Sequence, residues 1–125
     1  MRWYIQGFTE RSGIKVDLEL ADDFERLPRD VETAIFRLVQ ECLTNIHRHS
    51  ESRSASIALR RSAAAVSVEV RDSGHGILPH LTGPSTGLGV GIAGMRERLR
   101  LLEGHLEIEG AASGTLVLAT VPLKD

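Results

Sequence analysis

The chain has 125 residues, with 15 basic and 17 acidic side chains and a formal net charge of −2. That length suits one domain able to bury roughly two-thirds of its unfolded surface, and the near-balance of charge offers no field to recruit nucleic acid or an anionic membrane. A lone cysteine, Cys42, cannot pair within the chain, so a reducing compartment is expected; no run nears the roughly 20 apolar residues of a membrane span, and the opening MRWYIQGFTERSG lacks a signal-peptide core.

Trp3 to Arg11 reads as the tail of a helix that begins upstream, with Gly13 placed as a left-handed cap. Val16-Asp17-Leu18-Glu19-Leu20 alternates apolar and acidic residues, the period of a strand buried on one face, at or near a sheet edge. Pro28 suits a first helical turn, and Asp30 and Glu32 lie where the helix dipole favours acid. From there Val31, Ala34, Ile35, Leu38, Val39, Cys42, Leu43 and Ile46 form the stripe of a long amphipathic helix, expected from about Arg29 to His49. Ser54 to Arg61 and Ala65 to Asp72 alternate about a short link and predict an antiparallel hairpin.

Asp72 to Met95 then holds seven of the 12 glycines and little that could build a core. Glycines let backbone N–H groups approach a ligand closely, and these end where an apolar helical pattern begins, at Ile92 and Met95, an arrangement suited to phosphate. Leu99 and Leu102 continue that helix, Glu97, Arg98 and Arg100 take its wet side, and Gly104 stops it. Leu106 to Ile108 and Thr115 to Val121 predict a second hairpin, turned at Gly110 to Gly114. The order favours a two-layer α/β sandwich: one mixed, mostly antiparallel sheet with helices packed on one face.

Several polar residues fall in unexpected places. On a helical wheel of roughly 100° per residue, Asn45 and His49 fall inside the apolar arc of the long helix, with Glu41 and Arg48 at its margin. An ionised carboxylate half-turned toward a core needs a cation or hydrogen-bond donors. Glu41 and Asn45, one turn apart, could present oxygens to Mg²⁺, which takes few protein ligands plus phosphates; alternatively, Glu41 pairs with Arg37 or Arg48 on a solvated flank. His47 and His49 point in different directions, which argues against a joint metal site. Asp72, at a strand end before Ser73-Gly74-His75-Gly76, either closes an Asx-turn or is a buried carboxylate that accepts an exocyclic amine. Gly89 to Gly94 also spells G-x-G-x-x-G, but sixteen residues separate it from the strand ending at Asp72, whereas a dinucleotide fingerprint follows its strand directly.

Taken together these segments resemble the ATP-binding catalytic domain of bacterial sensor histidine kinases, of the Bergerat-fold superfamily shared with gyrase and the mismatch-repair ATPases. Phe36 to Ser50 resembles the family's N box, Asp72-Ser73-Gly74-His75-Gly76 its first glycine box, and Gly87 to Met95 its second. Gly94-Met95-Arg96-Glu97-Arg98 and the Ser113-Gly114-Thr115 turn are most similar to the nitrate-sensor and degradative-enzyme-sensor branch.

The resemblance implies that Asn45 coordinates Mg²⁺ with the phosphates and that Glu41 positions metal or water or assists proton transfer. It implies that Arg48 and His49 face the phosphates and that Asp72 accepts from the adenine amino group. Gly74 and Gly76 would make room for the base, Gly89 and Gly91, with Gly87 at the head of the same box, would cradle phosphates, and Thr115 would approach adenine through water. Residues 77–88 would form a short lid within a single domain spanning 1–125, residues 1–13 being the preceding helix tail. The family's phosphoaccepting histidine lies on dimerisation helices that have no match here, so this chain should bind ATP without phosphorylating itself. Its partners would be those helices in a homodimeric cytoplasmic parent, or the cytoplasmic part of a membrane-anchored one, and a response regulator. The rival is a nucleotide-responsive interaction module, anti-sigma-factor-like or a degenerate kinase, that binds ATP without phosphorylating histidine.

Overall fold

The structure is a computed structural model that describes residues 2–20, 27–47, 54–72, 88–111 and 114–123. Helix α1 (Arg2–Ser12) ends as its sequence predicts. Gly13 adopts φ 76° and donates to the Thr9 carbonyl at 2.9 Å, while the Ser12 hydroxyl donates back to the Phe8 carbonyl at 2.7 Å. Strand β1 (Lys15–Leu20) follows.

Helix α2 (Arg29–Asn45) has Pro28 at its N-cap, just outside the first turn in which the sequence placed it. Its stripe is buried as predicted, with Ile35, Leu38, Val39, Cys42 and Leu43 each at most 1% exposed. The helix continues through Ile46, at φ −60° and ψ −46° with its N–H on the Cys42 carbonyl, and His47; its expected end at His49 lies outside the described residues.

Strands β2 (Ser54–Arg61) and β3 (Ala65–Asp72) form the predicted hairpin. The Ser62 hydroxyl oxygen organises its turn by accepting from the Ala64 and Ala65 N–H groups at 3.2 and 3.1 Å. Helix α3 (Leu88–Leu101) begins ahead of the expected Ile92 and takes Gly89, Gly91 and Gly94 into itself. Strands β4 (His105–Ala111) and β5 (Gly114–Pro122) close the chain as an antiparallel pair.

The C-terminus of α3 corrects the role given to Gly104. The Gly104 N–H reaches the Leu99 carbonyl at 2.7 Å and the Glu103 N–H the Arg100 carbonyl at 2.9 Å, the two bonds of a Schellman cap. The left-handed position is therefore Glu103, at φ 63°. Gly104 serves close approach instead: a Cβ there would lie 2.5 Å from the Thr120 carbonyl oxygen and 3.0 Å from a Val121 methyl.

The five strands lie in the order β1-β2-β3-β5-β4, with β1 parallel to β2 and every other pair antiparallel. One face carries Ile57, Leu59, Val66, Val68, Val70, Val117, Ala119 and Val121, all buried against the helical layer that supplies the α2 stripe with Met95 and Leu99. The other face is charged and wetter, as where Arg71 and Arg60 approach Glu69 at 2.6 and 3.5 Å. This is the mixed two-layer sandwich that the alternation of elements predicts. Among the described residues no helix is long and apolar enough to cross a membrane.

Two predictions follow from this core. Gly104→Ala should lower stability by about 1–3 kcal/mol in urea unfolding, because the new methyl meets fixed backbone; an unchanged midpoint would refute the close approach. Burial, with a smaller contribution from the Glu41 charge, pushes the Cys42 thiol from 9.0 up to about 12. The folded state thus keeps a proton that the unfolded state loses, so stability is fully present below about pH 9 and falls as pH rises toward 12, on the order of a kcal/mol per pH unit. Cys42→Ala should lose that slope in unfolding titrations, and retention of the same slope would contradict the assignment.

Candidate nucleotide site at one end of the sheet

Topology brings four chain segments to one end of the sandwich. Because β1 and β2 are parallel, α2 must run back between them, which carries Asn45 toward the start of β2. There Ala55 pairs with Asp72 at the end of β3. Arg71 pairs with Leu116, so the next step of that register sets Asp72 beside Thr115 at the start of β5. The far end of β5 pairs Thr120 with His105, just after α3; the first turn of α3 therefore lies back at the Asp72 end.

The burial pattern converges on the same end. Among the described residues the buried polar or charged side chains are Asn45, Asp72 and Thr115, exposed by 1%, 8% and 4%. Alternation explains two of them: Asp72 continues the inward face of Val66, Val68 and Val70, and Thr115 that of Val117, Ala119 and Val121. Asn45 continues the buried stripe of α2. Its Oδ1 and Nδ2 are both buried without a hydrogen-bond partner among the described residues. Asp72 has contacts of its own, and it stands as the last residue of β3.

Glu41, one turn before Asn45, is half-buried in the wall of a cleft of about 390 Å³ between α2 and α3, shared with Arg37, Gln40, Thr44, Gly94, Met95 and Arg98. Among the described residues Glu41 and Arg37 form no ion pair, so that alternative for Glu41 is not realised; Arg48, the other candidate, lies outside the described residues. Gly89 and Gly91 stand in the opening turn of α3 rather than ahead of it; Gly89, its second residue, is among those whose N–H groups lack acceptors within the helix. His49, Gly74, Gly76 and Gly87, and the Asx-turn alternative at Asp72, also lie outside the described residues.

Sequence reasoning missed the rest of the cleft wall. Gln40 and Thr44 flank Glu41 on the same helical side, so the wheel that singled out Glu41 could have included them. Arg98 was placed on the wet side of α3 but is half-buried and lines the cleft. Its arrival opposite Arg37 depends on how the two helices pack, which no local pattern encodes.

Residues 30–125 match the family model described as histidine kinase-, DNA gyrase B-, and HSP90-like ATPase. The chain is 32% identical over 124 residues to the signal transduction histidine-protein kinase/phosphatase DegS of Brevibacillus brevis, covering 98% of this chain and 31% of that protein. It is 29% identical over 115 residues to the sensor histidine kinase MctS of Rhizobium johnstonii, covering 92% of this chain and 25% of that protein. The chain thus spans about a third or less of the length of these relatives. Among solved structures, the histidine kinase domain of the Erythrobacter litoralis blue-light activated histidine kinase superposes with a TM-score of 0.74 at 27% identity, covering 98% of this chain and 58% of that one. The Acinetobacter baumannii histidine kinase AdeS shares the fold, with a TM-score of 0.68 at 18% identity, over 98% of this chain and 61% of that one. This chain belongs to the family of histidine kinase-, DNA gyrase B- and HSP90-like ATPases, as an ATP-binding domain of the histidine kinase kind.

Proposed function

We propose that the chain is the catalytic domain of a sensor histidine kinase that binds Mg·ATP and delivers the γ-phosphoryl group to a histidine on a separate dimerisation segment, for relay to a response regulator. The observation that carries this reading is Asn45, a buried amide at the Asp72 end of the sheet with neither polar atom hydrogen-bonded among the described residues. Such a group is destabilising unless a ligand meets it, and a neutral oxygen of this kind suits Mg²⁺, which takes few protein ligands and completes its shell with phosphate and water.

In this reading Asn45 would hold the metal, and Glu41 would position metal or water or assist proton transfer. Arg48 and His49 face the phosphates, as do the amides of Gly89 and Gly91 with Gly87 before them. Asp72 accepts from the adenine amino group, Thr115 reaches the base through water, and Gly74 and Gly76 leave room for it. Bound there, Mg²⁺ would neutralise phosphate charge, and positioning with charge neutralisation is most of what phosphoryl transfer asks of a protein. Residues 77–88 act as lid, residues 1–125 work as one domain, and residues 1–13 continue a helix of the parent, whose kinase region is homodimeric and cytoplasmic. The kinase names of both curated relatives support phosphotransfer over a module that only binds nucleotide.

Calorimetry with Mg·ATP tests the pocket. Asp72→Ala should weaken binding at least about tenfold, the scale of a hydrogen bond to a charged group, and undiminished affinity would sink the adenine assignment. Labelled ATP supplied with a histidine-bearing helix hairpin should yield an acid-labile phosphoprotein; an acid-stable product, or unchanged transfer by Asn45→Ala, would contradict the mechanism.

A further inference from the structure

Two residues beyond Asn45, the imidazole of His47 meets the Phe8 ring, with centroids 6.1 Å apart and planes at 85°. Phe8 is 5% exposed and packs in the core with Ile5 and Ile14, so it is a fixed post, whereas His47 is exposed. Between Asn45 and this contact the chain stays helical: Ile46 keeps φ −60° and ψ −46°, and its N–H donates to the Cys42 carbonyl, so His47 sits on the same continuous backbone as Asn45. Higher on α2, Tyr4 and Phe36 make a second edge-on contact at 5.4 Å. The first helix therefore touches α2 well before Asn45 and again just after it.

Among the described residues the Asn45 amide has no hydrogen bond to fix its direction. Its aim is set by its backbone, and that backbone is the last turn of α2, which the His47–Phe8 contact ties to α1. We propose that His47 and Phe8 are positioning residues for the nucleotide site. Their ring contact holds the turn so that the Asn45 amide faces the metal and phosphates, and it couples α1 to nucleotide binding. This rests on the assignment of Asn45 made above. Because binding linkage is reciprocal, nucleotide should in turn steady α1.

The test uses the 125-residue chain, with calorimetry of Mg·ATP and of ATP in chelator at fixed pH for wild type, His47→Leu and His47→Phe. His47→Leu should weaken Mg·ATP binding about two- to tenfold, the scale of one edge-to-face pair, and leave metal-free binding unchanged. His47→Phe keeps a ring and should restore the wild-type value. Hydrogen exchange gives a second readout: Mg·ATP should slow α1 amides in wild type and His47→Phe but not in His47→Leu. Unaltered affinity in His47→Leu, an equal loss with and without metal, or no rescue by phenylalanine overturns the proposal. A wild-type affinity indifferent to Mg²⁺ overturns the Asn45 assignment itself, and is seen before any variant is compared.

Discussion

Burying an amide with neither of its polar atoms engaged costs about 1–3 kcal/mol in desolvation, and the core tolerates this at Asn45. The helix that carries it affords the penalty because the rest of its inward stripe, from Val31 to Leu43, is apolar and almost fully enclosed. Asn45 is also the last residue of α2, which puts the amide near the helix end rather than in the middle of the packed layer. A polar side chain kept in such a place at such a cost is what supports the proposed role of Asn45 as metal and phosphate contact.

The sheet determines what lies around it. One parallel pairing, β1 with β2, forces α2 to return across the sandwich, and three antiparallel pairings bring the ends of β3 and the start of β5 to the same edge. Inward alternation then continues past the apolar core by one residue in each strand, which is how Asp72 and Thr115 come to be buried. A single-residue slip in the register of either strand would turn its polar terminus to solvent. Fold and site are thus specified by the same period-2 pattern.

Much of this was legible in the sequence. The α2 stripe, both hairpins and the burial of Asn45 follow from periodicity, because burial on one face leaves a local signature. Asp72 was flagged by its place at a strand end before glycines, and the family resemblance added Thr115. What was not legible depends on contacts between segments distant in sequence. Gly104 looked like a helix stop, but the left-handed residue is Glu103, and glycine is needed at 104 because β5 passes so near. The early start of α3 was hidden because glycines argue against a helix locally, while packing of Met95 and Leu99 outweighs that propensity. Arg98 at the cleft and Phe8 against His47 are tertiary meetings with no local trace.

The central claim is that the Asn45 amide is held at the expense of stability for the sake of a ligand, and its most direct test is the unfolding free energy of wild type and Asn45→Leu, each with and without Mg·ATP. Without ligand, Asn45→Leu should be the more stable protein by about 1–3 kcal/mol, since an apolar side chain of similar size removes the unsatisfied atoms. Mg·ATP at about 100 times its Kd should shift the difference toward wild type by up to about 2.7 kcal/mol, because it adds much less to the variant. A ligand-free Asn45→Leu protein less stable than wild type, or equal stabilisation of both by Mg·ATP, would contradict the account.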